Sequence, residues 1–89
     1  MTPDARAAIE ELIGGFVEDA RSEAKSVASI VADYAEEVIA AGNTAEMHEA
    51  AAHIIAHRVA QAGIQLEAKA AERITNIALI AIRLLAGSV

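Results

Sequence analysis

TAEMHEAAAHIIAHRVAQAGIQLEAKAAERITNIALIAIRLLA, residues 44–86, decides how this chain is read. Its polar side chains Arg58, Gln61, Gln65, Lys69, Glu72, Asn76 and Arg83 follow one another at steps of three, four, four, three, four and seven. On a helix of 3.6 residues per turn those steps trace one narrow edge. Nearly everything else between Ala50 and Ala86 is Ala, Ile, Leu or Val. The pattern predicts one long helix over about 45–86, apolar around roughly two thirds of its circumference, where a surface helix carries a single stripe. Such a helix needs cover on more than one side.

The first half predicts a second helix, over about 3–41. Thr2-Pro3-Asp4 supplies a capping hydroxyl, a residue suited to the first helical position and a carboxylate at the positive dipole end. Ile13, Phe16, Ala20, Ala24, Val27, Val31, Tyr34 and Val38 then fall on one face, with Glu11, Glu18, Ser22, Lys25, Ser29, Asp33 and Glu36 opposite. Gly14-Gly15 weakens that helix and marks a possible kink, since each glycine costs about 1 kcal/mol relative to alanine. At 42–44, Gly42 ends the helix, and Asn43 is placed to cap the next one with Glu46 completing a capping box. So short a turn implies an antiparallel pair. The expected architecture is all-α: a single domain, residues 1–89, forming a long helical hairpin.

Cover for the second helix is expected from another copy of the chain. One seam, through Ala51, Ile55, Val59, Ala62, Leu66, Ala70, Ile77 and Leu84, suits the first helix. Another, through His53, His57, Ala60, Ile64, Ala71, Ala78 and Ile82, has no partner within a hairpin. Its alanines permit close approach of helix axes. Joining two hairpins there gives a coiled-coil-like four-helix bundle, so the chain itself, as a homodimer or higher oligomer, is the first expected partner.

Charge narrows the remaining partners. The 89 residues carry a net charge of −6, and the whole of the excess lies before residue 44. Phosphate recognition relies on clustered Lys and Arg, so nucleic acid and anionic membranes are not expected partners. A protein with a basic surface is, and the face presenting Glu18, Asp19, Asp33, Glu36 and Glu37 is where it would dock. The most apolar stretch, Ile74 to Ala86, is too short to cross a bilayer and contains Arg83. The N-terminus lacks the pattern of a secretory signal, and a cytoplasmic location is expected. Without cysteine there is no disulfide or thiolate site.

Chemistry has few candidates. Glu49, His53 and His57 are spaced at four and share one helical face, a spacing at which two imidazoles and a carboxylate can hold a divalent metal. In a hairpin, Asp33 and Glu37 would lie at the same level and add first-helix carboxylates. The Glu-x-x-Glu element at Glu46 and Glu49 stands alone, because no Asp follows Asp33 to supply the second half of a helical magnesium site. Ser22, Ser26 and Ser29 have no nucleophile elbow, and Gly14-Gly15 is no phosphate loop. The chain is therefore expected to be a non-enzymatic interaction module without a cofactor. A metal-binding bundle is the alternative.

Overall fold

The computed structural model describes residues 3–16 and 22–87, and the described elements are four helices. α1 spans Pro3–Phe16, α2 Ala24–Ala40, α3 Ala45–Gln61 and α4 Ala68–Gly87. The all-α class stands. The two helices of about 40 residues do not: each would be about 60 Å long, and the fold measures 32 × 26 × 18 Å.

The expected helix over 45–86 stops at Gln61 because Gly63 turns the backbone left-handed, with φ at 80°. The Gly63 N–H then donates to the Ala60 carbonyl at 3.0 Å and the Ile64 N–H to that of Val59 at 3.2 Å. That pair of bonds defines a Schellman stop, which satisfies carbonyls the helix end would orphan. The same device ends α2. Gly42 has φ at 96°, its N–H donates to Ile39 at 3.1 Å, and Asn43 donates to Val38 at 2.8 Å. Both stops share a Val-x-x-Ala-Gly signature, Val38 to Gly42 and Val59 to Gly63.

Asn43 does not cap α3. It takes a left-handed φ of 55° to finish the preceding stop, and Thr44 becomes the N-cap, accepting from the Met47 N–H at 3.4 Å. Glu46 thereby falls at the second helical position, one short of where a capping box needs it.

The expected helix over 3–41 is likewise two helices. Gly14 and Gly15 lie inside α1; the predicted positions Glu18, Asp19 and Ala20, like the Phe16 side chain and Thr2, lie outside the described residues. α1 packs antiparallel to α2. Arg6 reaches Asp33 and Glu36, far along α2, while a Cβ placed on Gly14 would stand 3.7 Å from that of Ala24 at its start.

α2 is the hub. It buries Ala24, Val27, Ala28, Val31, Ala32, Tyr34, Ala35 and Val38, which include the described part of the face expected from periodicity. α1 adds Ile9 and Ile13, α3 adds Ala51, Ile55 and Val59, and α4 adds Ala70, Ile74, Ile77, Ala78, Ala81 and Ile82. Each large aliphatic side chain fully buried here contributes about 1.5–3 kcal/mol.

The turn at Gly63 changes what the second half needs. Ile64, Ala78 and Ile82 are buried within this one chain, so the argument that set them aside for a subunit seam does not hold for them. A straight helix would have faced them outward; the folded one turns them inward. Of the other seam residues, Ala71 is half-buried, and His53, His57 and Ala60 are exposed.

Candidate interaction surface

The acidic face is built on α2, and its carboxylates are already engaged. Arg6 of α1 donates through Nη2 to Asp33 at 2.9 Å and to Glu36 at 3.4 Å. Arg58 of α3 closes a fork on Glu37, Nη2 to Oε1 at 2.8 Å and Nη1 to Oε2. Two parallel charge-assisted bonds of this kind fix orientation as well as charge. The Arg58 hydrogen bonds hold the Glu37 carboxyl below its ordinary value. The same guanidinium lies over the Tyr34 ring, 5.6 Å from its centre, a cation–π contact.

Tyr34 is buried, and its hydroxyl donates to the Met47 carbonyl in the first turn of α3. Burial pushes its phenol pKa up. Tyr34, Glu37 and Arg58 thus clamp α3 onto α2. Of the expected partner face, Asp33, Glu36 and Glu37 each sit in an intrachain ion pair, which tempers the local negative charge.

Glu49, His53 and His57 sit along the exposed side of α3. The carboxylates expected to join them are taken: Asp33 pairs with Arg6 and Glu37 with Arg58. Among the described residues no three of His, Asp and Glu converge in a group that could hold a metal ion. His48 instead braces the turn, its Nε2 bonded to Asn43 Oδ1 at 2.5 Å.

Another surface lies between α1 and α4, and it takes in Ile77 and Leu84 of the seam expected to face the first helix. A cleft of about 220 Å³ is lined there by Ala5, Ala8, Ile9 and Leu12 on one wall and Ile77, Ile80, Ala81, Leu84 and Leu85 on the other. Ile80 is 49% exposed and Leu84 68%. They are the large exposed hydrophobic side chains among the described residues, and they lie one turn apart. Elsewhere on the two helices the exposed charged side chains are Asp4 and Glu11 on α1, and Lys69, Glu72, Arg73 and Arg83 on α4. A second hollow, about 410 Å³, sits under the α3–α4 connection among Ile55, Val59, Ile64, Leu66 and Ile74, with Gln65 at its edge.

Part of the signal was in the sequence: Ile77 and Leu84 lie on the seam expected to meet the first helix. The structure adds Ile80 to them and sets them across from Ala5, Ala8, Ile9 and Leu12 of α1.

Comparison with known proteins finds no match: no family model, no curated relative and no solved structure. Among the described residues, no helix is long and apolar enough to cross a membrane.

Proposed function

We propose that the chain is a non-enzymatic helical interaction module, a scaffold, adaptor or inhibitor that works as an oligomer in the cytoplasm by presenting a surface to a protein partner. The observation that carries this reading is the pair Ile80 and Leu84, held out beside an apolar cleft. Two neighbouring large aliphatic side chains in water add nothing to an isolated fold, and contiguous apolar surface of this kind marks a contact site. The acidic face on α2 is a secondary element. It suits a basic surface on a partner, acting mainly on encounter rate and orientation, since Arg6 and Arg58 already share its charge.

A photo-crosslinking amino acid placed at Leu84, in the cells the protein comes from, tests the reading. Polypeptide adducts are expected at position 84 well in excess of those from the same group at Lys25, an exposed position on α2. Equal adduct yields at the two positions would overturn it.

A further inference from the structure

We propose that His53 and His57 form one half of a site for a divalent ion of the zinc class, and that a second copy of the chain supplies the other half about a two-fold axis through the metal. The two residues are four apart on α3, so a single turn separates them on one helix face. At about 100° per residue, that face lies opposite Ala51, Ile55 and Val59, the residues α3 buries. His53 and His57 therefore stand on the outermost ridge of the helix, and both are exposed.

Nothing else in the fold uses this pair. The His48 ring is bonded to Asn43, whereas neither His53 nor His57 has a hydrogen-bond or ion-pair partner among the described residues. Arg58, next to His57 in sequence, turns toward α2, where it meets Glu37 and the Tyr34 ring. Its charge is spent there rather than set against a bound cation. Glu49 lies one turn before His53 and favours positive charge at that end of the ridge. Ala56 and Ala60 flank the pair, exposed and too small to block an approaching chain.

Neutral imidazole suits zinc, copper and nickel, while magnesium and calcium prefer oxygen. Two imidazoles one turn apart chelate such an ion and leave tetrahedral zinc two ligands short. The chain does not fill those places itself. Among the described residues no third His, Asp or Glu joins the pair, and the sequence holds no cysteine. A second copy completes the set, because a two-fold arrangement presents the same two residues again and surrounds the ion with four nitrogens. The charge of the metal also lessens the repulsion between two chains of net charge −6 each. The site lies on α3 and does not depend on the α1–α4 cleft.

Equilibrium dialysis against zinc, with sedimentation velocity on the same samples, tests the proposal. The unmodified chain is expected to be monomeric in a chelator, to take up one zinc per two chains, and to become a dimer as that amount is added. Magnesium in place of zinc should leave it monomeric. His53→Gln and His57→Gln are each expected to weaken zinc uptake at least about tenfold and to abolish the zinc-driven dimer. A third variant, His57→Gln with Gln61→His, keeps two histidines on the ridge but sets them about 12 Å apart along the helix, too far to share one ion. It should behave like the single substitutions. All the substituted positions are exposed, and circular dichroism in a chelator checks that the helices persist.

Zinc bound one per chain without dimerisation, or a dimer indifferent to zinc and chelator, would overturn the proposal. So would equal uptake by the unmodified chain and the three variants, which would mean an adventitious ion only.

Discussion

α2 and α3 are each 17 residues long, yet α2 buries eight residues and α3 three. The difference lies in position more than in composition, since α2 packs against α1, α3 and α4 and buries four alanines, whereas α3 packs against α2 and α4 alone among the described helices. α2 turns Val27, Val31, Tyr34 and Val38 inward, side chains whose volume demands cover. α3 leaves Ala52, Ala56 and Ala60 in water beside His53 and His57, because an alanine removes little area and loses little by exposure. The stretch that looks most in need of cover is rich in alanine, and it needs less than its composition suggests. The helix with a conventional stripe became the hub. Apolar count is a poor measure of burial demand when alanine makes up most of it.

The comparison predicts a graded series of effects. Tyr34→Ala should cause the largest loss, about 3–5 kcal/mol, from the cavity in the hub and the Met47 carbonyl left without its donor. Urea denaturation followed by circular dichroism measures it. Gly63→Ala should cost about 1–2 kcal/mol, because the left-handed backbone disfavours a Cβ. Nothing lies within 4 Å of the added atom, so the whole loss is conformational. A stabilised Gly63→Ala protein would mean that α3 and α4 run on as one helix.

Glu37→Gln should cost less, under about 1 kcal/mol, since the pair with Arg58 is about half exposed and screened by solvent. Its value lies in the pH dependence. The Glu37 pKa is lowered in the fold, so its contribution is fully present above the ordinary carboxylate value of 4.5 and is lost as pH falls through the lower folded one. Melting curves below that value should fall less steeply with acid for Glu37→Gln than for the unmodified chain. Smallest of all, His53→Gln on the exposed side of α3 should stay within about 0.5 kcal/mol. A loss there comparable to Tyr34→Ala would mean that α3 is covered after all, and the contrast with α2 would collapse.

Local signals were legible in the sequence: the α2 core face, the stop at Gly42 and the start at Pro3 follow from spacing and capping chemistry within a few residues. The break at Gly63 was not read, although it repeats the Val-x-x-Ala-Gly pattern of the stop at Gly42. The polar edge Arg58, Gln61, Gln65, Lys69 keeps helical phase straight through it, and periodicity outweighed one glycine. The ion pairs were out of reach for a different reason. Arg6 finds Asp33 27 residues away and Arg58 finds Glu37 21 residues away, and such pairs exist only after α1 and α3 have folded against α2. The α1–α4 cleft likewise joins the two ends of the described chain. The carboxylates that the alternative metal reading would draw on, Asp33 and Glu37, are paired with arginines on other helices, and that pairing too exists only in the folded chain.

The central claim is that the second half folds back at Gly63 and is covered by its own chain. Spin labels on Glu49→Cys and Arg83→Cys, both at exposed positions, test it most directly through the distance between them in a sample diluted with unlabelled protein. A continuous helix would separate the two sites by about 51 Å. The folded chain, whose longest dimension is 32 Å, predicts a distribution centred near or below that length. A single narrow peak close to about 51 Å would contradict the account.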